Sequence, residues 1–242
     1  MEKYNNEDYN WWSSPANISA KEVVPFLLNH FTVNSVIDYG CATGDWLAVF
    51  NDFGVKRIQG LDGIWVQPKT LKIPITNFKI VDLTTHKHDS EERFDISISL
   101  EVAEHLDSQA SDLLVANLTT ASDLVLFSAA IPGQGGQHHI NEQPPNYWKK
   151  KFEEVGFKQF DILRRYFWDN EKVSWWYRQN IMLYSRNCIL NNFSSQFQDL
   201  NGIHLVHPVF FKEKCNEISI ENTSISNLIK TISHKIKKRI SY

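Results

Sequence analysis

Between residues 35 and 129 the chain alternates short, almost continuous apolar runs with longer mixed stretches. The runs are SVIDY (35–39), RIQGLD (57–62), FKIVDL (78–83), FDISISL (94–100) and DLVLFSA (123–129). Short apolar runs bounded by small or acidic residues predict buried strands. GCATGDWLAVF (40–50) predicts a glycine turn entering a helix, and a helical stretch from the fourth run to about Leu118 follows the same logic. Tyr147 to Val155 predicts a helix stopped by Gly156. FKQFDILRRYF (157–167) and IMLYSR (181–186) predict two last strands with no clear helix between them. Strands alternating with helices give an α/β architecture, a mostly parallel seven-stranded sheet covered by helices on both faces. The two late strands predict an antiparallel end.

The flanks carry a weaker signal. Residues 1–18 are polar with aromatic insertions and predict an arm that is disordered or folds over a site. Ser19 to Phe31 predicts a helix broken or bent near Pro25. From Asn187 onward Ser, Asn and Gln dominate, and the end spaces Leu228, Ile232, Ile236 and Ile240 four apart on a basic helix. The chain thus divides into an arm and helix (1–34), a central domain (35–187) and an extension (188–242).

Composition narrows the function. The formal net charge is −3, yet Thr223–Tyr242 carry +5 and the remainder −8, so the body does not read as a nucleic-acid binder. The basic, isoleucine-striped tail suits a membrane surface or a partner protein better. Three cysteines without metal spacing argue against a disulfide framework and point to a reducing cytoplasm. The polar, acidic start is not expected to act as a secretory leader, and no apolar run is long enough to span a bilayer.

In an open parallel sheet, ligands bind beyond the carboxyl ends of the strands. Those ends carry, in order, Gly40–Gly44, Asp62, Asp82, Ser99–Glu101 and the loop IPGQGGQHHINEQPPNYW (131–148). A glycine turn lets backbone approach a ligand, and an acid after the second strand can accept from both ribose hydroxyls. A dinucleotide would need its pyrophosphate at the helix start, where Asp45 would repel it. Asp38 and Asp45 suit a cationic ligand, and S-adenosylmethionine carries an ammonium and a sulfonium.

VIDYGCATGDWL resembles the first motif of class I S-adenosylmethionine-dependent methyltransferases. GLD and VDL stand where their second and third motifs stand, and FDISISLEVAEHL is similar to their fourth. The likeness covers roughly residues 35–187 and implies the Rossmann-like fold of that family. It departs at Ala42, where the family usually has Gly. By position it implies that Gly40 and Gly44 pass the donor's methionine part, Asp62 holds the ribose, and Asp82 with Leu83 faces the adenine. Asp38, Cys41, Ala42, Trp46 and Leu100 complete the implied donor site.

On a helix, Glu101, Glu104 and His105 would share one face and could bind a divalent cation such as Mg2+. The Glu-x-x-Glu-His pattern resembles the metal site of ubiquinone-pathway O-methyltransferases and small-RNA 2′-O-methyltransferases, which implies a further ligand after the fifth strand, where His138 and His139 lie. An alcohol is a weak nucleophile and needs a base or a metal, and histidine suits the base near neutral pH. The loop and WYRQN (176–180) resemble a bacterial subgroup of small-molecule or sugar O-methyltransferase-like proteins, in which His139 is the matching histidine. Asn141 and Glu142 are then expected to orient His139 or hold substrate. Tyr147, Trp176 and the Trp11–Trp12 pair could wall a pocket for a sugar, with Glu101 and His138 beside it. Arg178 could take a phosphate or carboxylate, with Arg164 and Arg165 as a weaker alternative that could equally face solvent. The acceptor expected from this pattern is a sugar hydroxyl, with a small amine as the alternative. A non-catalytic interaction protein would show degenerate glycine turns, which this chain does not.

Overall fold

The computed structural model describes residues 6–186, 203–217, 224–226, 229 and 230, with side chains from Ser14 onward. Residues Met1–Leu205 and Val206–Tyr242 form two separate units. In the first, α1 (Asn6–His30), β1 (Ser35–Tyr39), α2 (Asp45–Asp52), β2 (Arg57–Asp62), β3 (Phe78–Ile80) and β4 (Ile96–Leu100) are followed by α3 (Ser108–Ala121), β5 (Leu124–Ser128), α4 (Pro145–Glu154), β6 (Lys158–Phe160), α5 (Leu163–Phe167), α6 (Trp175–Asn180) and β7 (Met182–Ser185). The second contains α7 (Pro208–Glu217), on which Phe210 is buried and Phe211 exposed. The tail helix expected over 228–240 falls almost wholly outside the described residues.

The seven strands run in the order β3-β2-β1-β4-β5-β7-β6. All neighbouring pairs are parallel except those of β7, which runs against both β5 and β6. Every residue of β1, β4, β5 and β7 is buried, as expected when helices cover both faces of a parallel sheet. Alternation along the strands sorts the core in two. Val36, Ile96, Ile98, Leu126 and Leu183 face α1, α2, α5 and α6. Ile37, Tyr39, Val125, Phe127 and Tyr184 face α3 and α4. On the second face Phe152 stacks on Tyr184 with ring centroids 3.8 Å apart.

Several expectations change. Residues 6–18 are helical, so the expected arm is the first half of one helix that runs through both Pro15 and Pro25. An interior proline costs about 3 kcal/mol, but Val23, Val24 and Leu27 lie in the core, and burial of an apolar face outweighs such a local penalty. FKIVDL is strand only over Phe78–Ile80. Of FKQFDILRRYF, three residues pair as β6, and α5 and α6 fill the supposedly helix-free gap. Arg164 does not face solvent. It is fully buried, paired with Asp161, and donates to the carbonyls of Gln179 and Ile203. Charge buried in this way survives because each donor finds an acceptor.

Candidate active site

At the carboxyl end of β1 the chain turns through three residues in left-handed backbone, Gly40 (φ 86°), Ala42 (φ 47°) and Gly44 (φ 80°). Gly40 is required sterically, because a Cβ there would sit 2.4 Å from a methyl of Val102. Gly44 caps α2, and Asp45 follows it, buried and bonded to the hydroxyl of Thr43. Asp38 lies opposite Gly60 and Ile98 at the strand ends. Burial, reinforced by the charge of Asp62, holds its carboxyl well above the usual range.

Asp62 ends β2, and its carboxylate ties the rim together. Oδ2 accepts from the Ala42 amide at 2.7 Å, and Oδ1 accepts from the Gly63 amide at 2.6 Å and the Trp65 indole at 2.9 Å. Cys41 turns its thiol inward against Gly60, so only its backbone reaches the rim. Trp46 also turns inward. It is buried between α2 and α6, and its indole donates to the Tyr177 hydroxyl at 3.4 Å. Leu100 ends β4 in the core. Asp82 is exposed one residue beyond the point where Val81 bonds the Asp62 carbonyl, and its side chain holds Thr84, while Leu83 rests against the second core.

Beyond β4 the expected helix does not begin. Glu101 takes a left-handed φ of 56°, and a short 3-10 turn spans Ala103–His105 before Asp107 caps α3. The two glutamates stay close enough to interact but take different partners. Glu101 accepts from Asn180 at 3.1 Å and from Gln134 at 3.1 Å. Gln134 also accepts from Asn180 and from Gln179. Burial pushes the Glu101 carboxyl up to about 7 against the opposing pull of Asn180, Ser128 and Gln134. Glu104 is completely buried, and neither of its oxygens has a well-formed hydrogen bond. Its pKa stands well above the ordinary value, from burial first and the Glu101 charge second, with the nearby amides of Glu104 and Ala130 pulling only weakly the other way.

The glycine loop wraps over Glu104. Its amides at Ile140 and Asn141 donate to the Glu104 carbonyl at 2.9 and 3.0 Å. His139 Nδ1 lies 2.9 Å from Glu142, and Nε2 lies 4.0 Å from Glu104. Glu142 also accepts from the amides of Gly133 and Gly135. Burial pushes the Glu142 carboxyl up, but the bonds to His139 and the two glycine amides outweigh it, and the pKa is lowered. At Gly136 a Cβ would fall 2.4 Å from His139 Nε2, so the loop is glycine where the imidazole seats. One ligand atom each from Glu104, His105 and His139 falls within 4.8 Å of the others.

Other expected partners lie elsewhere. Glu101 is not part of the Glu104–His105–His139 cluster, because the strand-end turn aims it at Asn180. The Asn141 side chain bonds Ser111 of α3 at 2.9 Å and accepts from Gln143, so it anchors the loop instead of orienting His139. His138 is exposed, with φ 60°, and approaches His105 through its carbonyl. Tyr147 lies against Trp148 and under Lys151, which pairs with Asp112 of α3. Trp176 is half-buried beside Trp175. Arg178 is buried, donates to the Trp168 carbonyl, and has its pKa lowered by burial. The Trp11–Trp12 side chains fall outside those described.

Sequence reading missed Trp65, Gln134, Tyr177 and Asn180. A usable signal lay in WYRQN. Tyr177 and Asn180 are three apart on α6, hence on one face, and Arg178 lies off it.

Comparison with known proteins agrees with the fold. Residues 16–159 match a family model described as a methyltransferase domain, more than half of the 242 residues. No curated protein matches the chain. The methyltransferase domain of a bacterial Hen1 superposes with a TM-score of 0.52 at 20% identity, over 70% of this chain and 98% of that one. Magnesium protoporphyrin IX methyltransferase from Synechocystis PCC 6803, with bound S-adenosylhomocysteine, gives 0.51 at 16% identity over 72% and 84%. An O-methyltransferase family protein from Burkholderia thailandensis gives 0.52 at 13% identity over 69% of this chain and 55% of that one.

Proposed function

The chain belongs to the methyltransferase-domain family, as a class I S-adenosylmethionine-dependent enzyme, and on that premise we propose that it transfers the donor's methyl group to a sugar hydroxyl, nucleotide-linked or polysaccharide-bound. The observation that carries this reading is the seating of His139 over the acceptor side, with Nδ1 on Glu142 and Nε2 turned toward Glu104.

An amine acceptor needs little more than alignment, whereas an alcohol must lose a proton as it attacks. His139 with Nδ1 protonated presents Nε2 as the acceptor of that proton, and Glu142 stabilises the imidazolium that forms. The oxygen–carbon bond forms as the carbon–sulfur bond breaks. The proton goes to His139, and S-adenosylhomocysteine leaves. Glu101, Gln134 and Asn180 supply acceptors and donors suited to a polyhydroxyl molecule. Asp38, Asp62 and the Gly40–Gly44 turn hold the donor in this reading, and Asp82 with Leu83 faces its adenine.

The residues also fit a divalent cation. Glu104 is a buried carboxylate without well-formed hydrogen bonds, a state that a cation relieves. With His105 and His139 it makes an oxygen and two-nitrogen set that suits first-row divalent metals. A cation held there would supply acidification of the bound hydroxyl, with His139 as ligand. The three side chains would hold it, and Glu142 would keep the His139 ring oriented.

The test is a screen of nucleotide sugars and small amines with isotopically labelled donor, read by mass, with and without prior chelation. Methylated sugar is the expected product, and methylated amine alone would replace this reading with the N-methyltransferase. Activity lost on EDTA treatment and restored by one metal assigns the cation, and full activity after chelation and dialysis removes it.

A further inference from the structure

Two arginines are buried in the insertion between β6 and β7, and they differ in how their charge is met. Arg164 turns the Nε–Nη2 edge of its guanidinium to both carboxylate oxygens of Asp161, and its terminal nitrogens donate to the carbonyls of Gln179 and Ile203. Arg178 is nearly as deep, with 7% of its surface exposed. Its Nη1 donates to the Trp168 carbonyl at 3.2 Å, but its Nε is shielded from solvent and has no hydrogen bond. Glu171 and Asp169, both exposed, act on it by charge alone. A buried donor on a cation is costly to leave unbonded, and a guanidinium does not escape the cost by losing its proton.

The fold sets Arg178 beside the acceptor side. β7 runs against β5 and pairs Met182 with Phe127 near the carboxyl end of β5, so α6, which leads into β7, stands at that edge of the sheet. The next two residues of α6 reach the acceptor network, Gln179 donating to Gln134 and Asn180 to Glu101. Arg178 lies off the Tyr177–Asn180 face, which suits a group some bonds away from the reacting hydroxyl. We propose that Arg178 binds a phosphate of the acceptor through the edge that carries its Nε, as Arg164 holds Asp161, and that the acceptor is therefore a phosphate-bearing, nucleotide-linked sugar. A guanidinium edge matches two phosphate oxygens at once. Of the two kinds of sugar in the proposed function, the nucleotide-linked one always brings a phosphate next to the ring. Binding at that remote group would align the hydroxyl against His139. This inference rests on the sugar reading of the acceptor side.

The test uses the full chain saturated with S-adenosylhomocysteine, with inorganic pyrophosphate as the probe and ionic strength held constant with chloride. The wild type should bind pyrophosphate by calorimetry. Arg178→Lys keeps the charge but loses the fork, and should bind it about tenfold or more weakly. Equal binding by both, or none by the wild type, overturns the site. A second readout is taken on the wild type. The Arg178 Nε–H signal in the 1H–15N spectrum, assigned by its absence from Arg178→Lys, should shift with pyrophosphate and not with chloride. A signal that stays in place refutes the contact. Kinetics then read the substrate. Arg178→Lys should raise KM for nucleotide-linked sugars and sugar 1-phosphates by about tenfold with kcat little changed, and leave neutral sugars as they were. A KM raised for a uronic acid alone replaces phosphate with carboxylate, and a lower melting temperature with unchanged KM makes Arg178 a structural residue only. If the screen gives methylated amine alone while pyrophosphate still shifts the Nε–H signal, the sugar reading fails and the anion site stands. If sugars are methylated and Arg178→Lys has the wild-type KM for all of them, the sugar reading stands and the phosphate contact is wrong.

Discussion

The rim proposed to hold the donor and the side proposed to hold the acceptor share one sheet edge but are built by different means. The rim from Gly40 to Asp62 works through backbone. Three left-handed residues, a helix start and a strand-end carboxylate define it, and the bonds that fix it run between β1 and β2. The acceptor side works through side chains drawn from four places, namely the β4 end (Glu101, Glu104), the glycine loop (Gln134, His139, Glu142), α6 (Asn180) and β5 (Ser128). Backbone geometry recognises what is constant in a ligand, and side chains adapt to what varies. The comparison predicts that changes at the rim abolish binding of the donor, while changes on the acceptor side alter turnover and leave the donor bound.

The largest effect expected is at the rim. Asp62→Ala removes the acceptor for two backbone amides and, in the proposed reading, for the ribose. Loss of charge-assisted bonds of this kind lowers donor affinity by roughly a hundredfold or more. Calorimetry with S-adenosylhomocysteine reads it directly, and an affinity near wild type would break the contrast at its stronger end.

On the acceptor side His139→Ala should lower turnover on the sugar identified by the screen by about a hundred- to ten-thousandfold, the usual range for a lost general base. Donor affinity should stay within about threefold, since His139 touches Glu142, Glu104 and His105 but no rim residue. Glu142→Gln should fall between wild type and His139→Ala, because it keeps the loop amides partly bonded but no longer stabilises the imidazolium. If either substitution weakens the donor as much as Asp62→Ala does, the two halves of the site are not separable.

How much of this could be read in the sequence follows the same division. The rim was legible because its parts are contiguous. SVIDYGCATGD is a buried strand, a turn and a helix start in one stretch, and local rules of glycine and apolar runs suffice. The acceptor side was half legible. His139 and Glu142 are near neighbours on a loop whose glycines announce special backbone, and they do meet. Glu101 and Glu104 misled because a helical spacing was assumed where the chain takes a left-handed residue and a 3-10 turn. The Glu101–Gln134–Asn180 bonds span 33 and 79 residues of sequence, and no local pattern encodes such a meeting. Tertiary burial overrode local preference elsewhere too, in the helix that continues through Pro25 and in the interior position of Arg164.

A subtler contrast concerns pH. Glu101 titrates near 7 in the fold against an ordinary 4.5, because burial disfavours its charge. A carboxyl with a raised folded pKa binds its proton more tightly in the native state. Its contribution to stability is complete below about 4.5 and is lost as pH rises through about 7. Thermal melts of the apo protein should therefore fall in that window, and Glu101→Gln should flatten the fall without removing it, since Glu104 shifts in the same direction. The donor rim, read through S-adenosylhomocysteine affinity of the same variant, should scarcely respond. A melt of Glu101→Gln as steep as wild type would show that the acceptor carboxylate is not the titrating group.

The smallest effect is expected at Ala42. Ala42 holds φ at 47°, in the region where an L-residue is strained by roughly 1–2 kcal/mol. Ala42→Gly removes that strain, but two opposing effects follow. The unfolded chain gains freedom worth about 0.4–1 kcal/mol. The half-buried methyl, packed against the first core, gives up a fraction of the roughly 0.8 kcal/mol of a fully buried group. The difference is a few tenths of a kcal/mol in favour of glycine, a rise of about 1 °C in melting temperature for a domain of this size. A fall of several degrees would mean that the methyl packs better than its partial exposure suggests and that Ala42 supports the rim through its side chain. Such a result would blur the division between a donor side made of backbone and an acceptor side made of side chains at the point where that division is most exposed to test.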